Sequence, residues 1–159
     1  MDFSKLRLSS IFGTKQGKAY KEAEKFLGLA EVMGSKHEPK ILQFFAEVGH
    51  SWVKDDETAW CAAFVGAMLK RAGLPHTGKL NARSYIAWGE EVEDWNDFKQ
   101  GDIVIFWRNS KDSVYGHVAF FHSWDENGDF HVLGGNQGNK VSIKTYAKER
   151  FLSARRWKE

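Results

Sequence analysis

The hydrophobic pattern of this 159-residue chain changes its period about halfway along the sequence. Before Gly73, apolar residues recur at three- and four-residue spacing, as they do on one face of a helix. After Gly101, short runs of Val, Ile and aromatic residues are separated by Gly, Asn and Asp, which is typical of strands. Because helices come first and strands follow, we expect an α+β fold with an antiparallel sheet.

The first half predicts three helices. The first carries apolar residues from Ala19 to Met33 and ends at Gly34, and the second runs from Pro39 to Gly49. The third covers Ala59–Ala72, after an acidic stretch closed by Thr58 as a helix cap. A short helix is expected over Asn81–Trp88. The predicted strands are Asp102–Trp107, His117–Trp124, Phe130–Gly134 and Val141–Ile143.

Composition indicates one globular domain spanning residues 1–159, because hydrophobic residues make up 42% and charged residues 28% with no visible linker or repeat. A net charge of +2 is too small to suggest a nucleic-acid binder. The single cysteine excludes an internal disulfide. Residues 1–20 lack the apolar run of a signal peptide. We therefore expect a monomer made in the cytoplasm without a Sec signal, acting elsewhere after release or delivery.

Cys61 lies near the start of the third predicted helix. The N–H groups of a first helical turn lack intrahelical partners, and the helix dipole favours negative charge there. Both effects lower the pKa of a thiol toward the reactive thiolate. Taken alone, a free cysteine is more often a small core residue. A catalytic interpretation of Cys61 therefore needs a partner base.

His117 opens a predicted strand and is the candidate base. Asn127-Gly128 predicts a two-residue hairpin turn, because both positions of a type I′ turn need positive φ. Such a turn pairs Glu126 with Asp129. Counting back along the two strands then places Asn136 on the face of His117, one diagonal step away. An amide oxygen in that position would accept from the imidazole and hold one tautomer.

The same count places His122 and His131 on the opposite face of the sheet. The remaining histidines fall in or near predicted turns; they are His37, His50 and His76. No histidine pair has the spacing of metal ligands, so we expect neither a metal nor another cofactor. A bulge near Gly134-Gly135 would move Asn136 to the other face.

Four short sequence motifs follow one another in a recognisable order. They are Trp60-Cys61-Ala62-Ala63-Phe64-Val65, Gly101-Asp102-Ile103-Val104, Gly116-His117-Val118 and Leu133-Gly134-Gly135-Asn136-Gln137, and the closing Arg156-Trp157 also fits. In this order they resemble papain-like peptidoglycan hydrolases of the CHAP and NlpC-type superfamily, more narrowly a single-domain phage and bacterial group. The resemblance runs from about Ala23 to Trp157, and it depends on the combination of these motifs.

The resemblance implies a papain-like fold in which Cys61 is the nucleophile, His117 the base and Asn136 the orienting residue. CHAP enzymes often carry a Glu two residues before that Asn, where this chain has Gly134. The orienting role therefore rests on Asn136 or on Gln137.

Aromatic and polar residues around these motifs are candidates for substrate binding. They are Trp60, Asp56, Trp107 and Gln137, with Trp88 and Tyr115 as further aromatic candidates. The backbone N–H of Cys61 is expected to donate to an oxyanion. Its side-chain helper is open among Asp56, Gln43 and Asn81, and Asp56 has a simpler interpretation as a helix cap.

The expected activity is hydrolysis of an amide bond in cell-wall peptide. An endopeptidase is slightly favoured over an N-acetylmuramoyl-L-alanine amidase, because the basic residues of 140–159 suit the carboxylates of stem peptides. Two alternatives stay open: a cysteine acyltransferase or deamidase toxin acting on a protein substrate, and a non-enzymatic cell-wall-binding module. Peptidoglycan is the expected partner. An endolysin with its holin and a delivered antibacterial effector with an immunity protein both fit the sequence.

Overall fold

The computed structural model of the chain describes residues 13–32, 34, 36–56 and 59–159. Within these residues, helices pack against one six-stranded antiparallel sheet. The expected α+β class is therefore confirmed. No helix in the described part of the chain has the length and apolar content needed to cross a membrane.

In the described part of the chain, three α-helices precede the sheet: α1 is Lys15–Glu24, α2 is Pro39–Glu47 and α3 is Cys61–Arg71. Thr14 caps the start of α1, because its hydroxyl accepts from the N–H of Gly17 at 3.0 Å. The prediction that the first helix reaches Gly34 is wrong. The chain turns after Glu24 and then pairs with a distant segment, where the N–H of Gly28 donates to the carbonyl of Val141 at 2.9 Å.

The start of α3 at Cys61 differs from the predicted Ala59. Its N-cap is Trp60, which makes no side-chain capping bond. The predicted cap, Thr58, lies outside the described residues. A short 3₁₀ helix, Ala82–Ala87, follows α3 and agrees with the expected turn of helix over Asn81–Trp88.

The strands are β1 Glu90–Glu91, β2 Ile103–Trp107, β3 Gly116–Trp124, β4 Phe130–Gly134, β5 Ser142–Tyr146 and β6 Phe151–Arg156. The sheet order is β1-β6-β2-β3-β4-β5. Strands β1 and β6 were not expected from the sequence. The last strand, β6, enters between β1 and β2, and the Arg156 guanidinium binds both oxygens of buried Asp102 at 2.7 Å. That ion pair ties the C-terminal strand to β2.

The two faces of the sheet bury separate apolar clusters. One face packs against α1, α2 and α3 and includes Val118 and Phe120 of β3. The other face buries a mainly aromatic cluster that includes Phe130 of β4 and Phe151 of β6. These two rings stack at 5.3 Å, although two strands lie between β4 and β6 and a flat sheet would separate them by roughly 14 Å. The sheet therefore curls around its aromatic cluster.

The hairpin between β3 and β4 has a longer loop than the sequence predicts. The N–H of Asp125 donates to the carbonyl of Asp129 at 2.9 Å, so residues 126–128 form a three-residue loop. The Asp125 carboxylate accepts from the N–H groups of Asn127 and Asp129, both at 2.8 Å, which stabilises this loop. The expected pairing of Glu126 with Asp129 is therefore wrong. The register shifts once more between Phe121 and Ser123.

Candidate active site

Cys61 is the first residue of α3, and its side chain is almost completely buried. The backbone N–H groups of Val118, Ala62 and Cys61 itself point at the thiol. Burial raises the pKa of Cys61, and these N–H groups and the positive charge of Arg108 oppose the rise without overcoming it. The resting thiol is therefore protonated at neutral pH, with N–H donors already in place to stabilise the thiolate.

His117 lies at the start of β3 and is 1% exposed. Its ring stacks on Tyr146 of β5, with centroids 4.8 Å apart and planes 5° from parallel. The pKa of His117 is lowered to about 4, mainly by burial and also by the positive charges of Arg108 and Lys144, while the hydrogen bond that His117 donates to Gln137 opposes the shift. The imidazole is therefore neutral at pH 7 and free to accept a proton.

Gln137 determines which nitrogen of His117 carries the proton. The amide nitrogen of Gln137 donates to the carbonyls of Ser142 at 2.7 Å and Val132 at 3.3 Å. The amide oxygen must then be the atom that faces His117, and it lies 2.8 Å from Nε2. Because an oxygen can only accept, Nε2 bears the hydrogen and Nδ1 is left unprotonated. Nδ1 is the atom able to take a proton from a thiol.

The thiol lies beside the backbone at the start of β3, next to the residue that follows His117. The paired register of β3 with β4 ends at Phe120 and Leu133, and the N–H of Val118 is directed at the thiol of Cys61. Val118 directly follows His117, so Cys61 lies against the peptide unit beside the imidazole. Chemically, this arrangement supplies a nucleophile, a neutral base of defined tautomer and free N–H donors at a helix start.

Two glycines make this close packing possible. A Cβ on Gly135 would lie 2.6 Å from the ring of Trp60, so the start of α3 can approach β4 only if residue 135 has no side chain. A Cβ on Gly134 would lie 2.7 Å from the amide oxygen of Gln137. CHAP enzymes often carry a Glu where this chain has Gly134. The absence of a side chain at Gly134 leaves room for the amide of Gln137.

Asn136 does not make the predicted contact with His117. The hydrogen bond belongs to Gln137, whereas Asn136 is half-buried in a turn with a φ of 59°. The three-residue loop and the shift near His122 each move the pairing by one residue, so together they leave Asn136 on the face of His117. The physical reason for the missing contact is that the chain leaves β4 at Gly134 and turns before Asn136 is reached.

Two of the predicted substrate-binding residues are structural. Trp60 is fully buried, stacks on Phe44 and donates from Nε1 to Glu31 at 2.7 Å. Asp56 is also buried, and its carboxylate accepts from the N–H groups of Val32 and Glu38 instead of capping α3 or facing the thiol. Both predictions are therefore wrong, because the tertiary fold buries side chains that the sequence places beside Cys61.

Trp107 lies at the end of β2, where Nε1 donates to the carbonyl of Glu149 at 3.1 Å and Arg150 covers the ring. It lines neither cavity beside Cys61. Trp88 is buried, and its indole N–H donates to the carbonyl of Pro75. Tyr115 is 61% exposed and does line a cavity with Cys61.

Two cavities open beside the thiol. The first, of about 250 Å³, contains Cys61 and Asn81, together with the exposed Val114 and Tyr115 of the β2–β3 loop. Of the three oxyanion candidates, Asn81 alone lines it. The second, of about 470 Å³, is more polar, and the two share Ala59 and Arg108 in their linings. The two cavities are therefore neighbours, and the first of them contains the thiol.

Sequence reasoning missed Arg108 and Tyr146. Arg108 directly follows β2, and its backbone N–H donates to the carbonyl of Tyr115 across the hairpin that leads to His117. That proximity was readable from the two neighbouring strands. Tyr146 lies beyond the predicted strand end at Ile143, so no sequence signal connected it with His117.

One group of described residues has the composition of a cation site. Ligand atoms of His37, Asp55 and Asp56 lie within 4.8 Å of one another. Nitrogen and carboxylate oxygen together are suited to a divalent cation. Both oxygens of Asp56 already accept hydrogen bonds from the backbone or from His37, which accounts for their position.

Comparisons with known proteins agree with this architecture. The family model described as CHAP domain matches residues 53–136, more than half of the 159 residues. No curated protein matches the chain. The solved structure of NlpC1 from Trichomonas vaginalis is similar in fold, with a TM-score of 0.56 and 19% sequence identity. The match covers 90% of this chain and 44% of that one, so this chain spans less than half the length of that protein.

Proposed function

The chain belongs to the CHAP domain family, a family that acts on peptidoglycan, and we propose on that basis that it cleaves an amide bond of cell-wall peptide through Cys61. The observation that carries the proposal is the placement of the thiol. It lies at a helix start, where the backbone N–H of Val118 favours its ionised form, and Val118 directly follows a neutral His117 whose tautomer leaves Nδ1 free.

The proposed reaction is acyl transfer in two steps. Nδ1 of His117 takes the proton of Cys61, and the thiolate attacks the carbonyl carbon of the scissile amide. The carbonyl oxygen becomes an oxyanion, for which the N–H groups around the thiol are the proposed donors. The imidazolium then protonates the leaving nitrogen, the C–N bond breaks and a thioester remains on Cys61.

Hydrolysis of that thioester completes the cycle. His117 takes a proton from water, the hydroxide attacks the thioester carbonyl, and the C–S bond breaks to release a carboxylate product. The thiolate recovers its proton from the imidazolium. Gln137 is proposed to hold the imidazole in one tautomer throughout, and Tyr146 to hold its plane by stacking.

We favour an endopeptidase over an N-acetylmuramoyl-L-alanine amidase. The support is the positive charge of Arg108 and Lys144 near His117, which suits the carboxylates of stem peptides. Digestion of purified peptidoglycan followed by mass spectrometry of the muropeptides tests the choice. An endopeptidase releases new peptide amines and leaves every lactyl–alanine link intact, whereas free lactyl groups with intact stem peptides would identify an amidase.

Replacement of the nucleophile tests the mechanism. Cys61→Ala should fold, because it removes one sulfur from a packed site, and should lose ~10³-fold or more of the hydrolysis rate, since nucleophile and base act as a unit. Iodoacetamide should inactivate the wild-type protein for the same reason. His131→Ala, in β4, is the matched control and should keep its activity. A Cys61→Ala protein that retains a tenth of the wild-type rate would contradict a thiol mechanism.

A further inference from the structure

The more polar of the two cavities carries two cations beside the candidate catalytic pair. Its lining includes Arg108 and Lys144, together with Tyr146, the residue on which His117 stacks. Both positive charges act on His117 and lower its pKa, and Arg108 also acts on Cys61. The two cations are therefore electrostatically close to the reacting groups, although neither belongs to the proposed nucleophile–base pair.

Neither cation is neutralised within the described part of the chain. The side chains of Arg108 and Lys144 make no hydrogen bond and no ion pair with any described residue, and Lys144 merely lies 5.8 Å from the centre of the Tyr146 ring. Two other arginines of the described residues are ion-paired. Arg71 binds Glu47 and Glu22, and Arg156 binds Asp102.

The remaining lining of the cavity favours an anion as the occupant. Of the described residues that line it, only Glu31 is acidic, and its Oε1 already accepts from Trp60 at 2.7 Å. Asn136 and Asn139 add side-chain amides, which can donate to oxygen. A guanidinium, an ammonium and amide donors around one space match the acceptor atoms of a carboxylate.

We propose that Arg108 and Lys144 form a carboxylate subsite, which selects stem peptides bearing a free carboxylate next to the scissile amide. This inference rests on the proposed hydrolysis of cell-wall peptide and names the chemical feature that the site recognises. The cavity shares Ala59 and Arg108 with the cavity that contains Cys61, so a carboxylate held there lies next to the space in which the scissile bond would bind.

Two synthetic stem peptides that differ at one group test the subsite. One carries a free carboxylate beside the scissile bond, and the other carries a carboxamide in its place. We expect the wild-type protein to cleave the first with a kcat/KM ~10-fold or more above the second, which is the scale of one charge-assisted hydrogen bond. Arg108→Gln and Lys144→Gln should each abolish most of this preference, by raising KM for the carboxylate peptide alone.

The charge-matched control is Lys40→Gln. Lys40 is exposed on α2 and lies outside the cavity, so this substitution removes the same unit of charge at a distant position. It should keep the wild-type preference. Equal cleavage of the two peptides by the wild-type protein, or an unchanged preference in both cavity variants, would overturn the subsite while leaving the hydrolase intact. Failure of the proposed function looks different, because the wild-type protein would then release no peptide amine from either substrate. Circular dichroism confirms that each variant is folded.

Discussion

At the scale of single residues, the amide of Gln137 explains how a buried histidine can serve as a base. Its nitrogen is committed to the carbonyls of Val132 and Ser142, so its oxygen faces Nε2 of His117 and holds the imidazole in one tautomer. Asn136, one residue earlier, has no such contact because its backbone has already turned into the left-handed region. Adjacent amides of the same chemistry therefore have different roles.

Replacement of the two amides should separate those roles. Gln137→Ala leaves the Nε2–H of His117 buried without an acceptor, which costs about 1–3 kcal/mol of stability and frees the ring to change tautomer. We expect kcat to fall ~10-fold or more, as for other losses in acid–base catalysis. Asn136→Ala should keep kcat within about a factor of three of the wild-type value. A larger loss of kcat in Asn136→Ala than in Gln137→Ala, measured on folded proteins, would restore Asn136 as the orienting residue.

At the scale of secondary-structure elements, the site depends on how closely α3 approaches the end of β4. Gly135 allows that approach, because Trp60 and Phe64 at the start of α3 occupy the space in which its side chain would lie. On the other side of Cys61, Arg83 donates to the carbonyls of Tyr115, Lys111 and Ser110 and so shapes the β2–β3 loop. The thiol is thus held between a tightly packed helix start and a cross-linked loop.

Gly135→Ala tests the close packing of α3 on β4. The added methyl group would lie 2.6 Å from the Trp60 ring and 2.8 Å from Cβ of Phe64, so helix and strand must separate. We expect the free energy of unfolding, from urea denaturation, to fall by about 1–3 kcal/mol through overpacking. Activity should fall as well, since Cys61 moves with the helix. A variant as stable and as active as the wild type would show that the helix start is not tightly packed.

At the scale of the whole molecule, the candidate site lies where the two apolar clusters of the sheet meet. The helices bury one face through Val118 and Phe120, while His117 stacks on Tyr146, which packs with the aromatic cluster of the other face. Folding therefore buries the imidazole between layers, and this burial is the main reason that its pKa lies near 4. The chemistry of the base is coupled to the stability of the fold.

The coupling predicts a loss of stability in mild acid. The pKa of His117 in the folded protein, about 4, lies below the ordinary value of 6.5. Between these two pH values, His117 is protonated in the unfolded chain and neutral in the folded protein. The contribution of His117 to the free energy of unfolding is fully present above pH 6.5. It is lost as the pH falls toward 4, by about 3 kcal/mol for the complete shift. Urea unfolding of the wild type and of His117→Asn at several pH values measures it. The difference in free energy of unfolding between the two proteins should change over pH 4–6.5. Parallel plots of that free energy against pH would contradict a buried neutral histidine.

Local pattern was enough to establish several features of this protein. The change in hydrophobic period predicts the α+β class, and Cys61 near a helix start and His117 at a strand start follow from the apolar pattern around each residue. These features depend on neighbours in sequence, which is why the sequence alone determines them.

Only the tertiary structure decided how the site is completed. Whether Asn136 or Gln137 meets His117 depends on where β4 ends, because the chain turns after Gly134 and the side chains of the turn no longer follow the alternation of a strand. The burial of Trp60 and Asp56 and the position of Arg108 between two cavities arise from packing between distant segments. The last strand, β6, pairs with β1 and β2 across a long stretch of chain, and no local pattern encodes such a pairing.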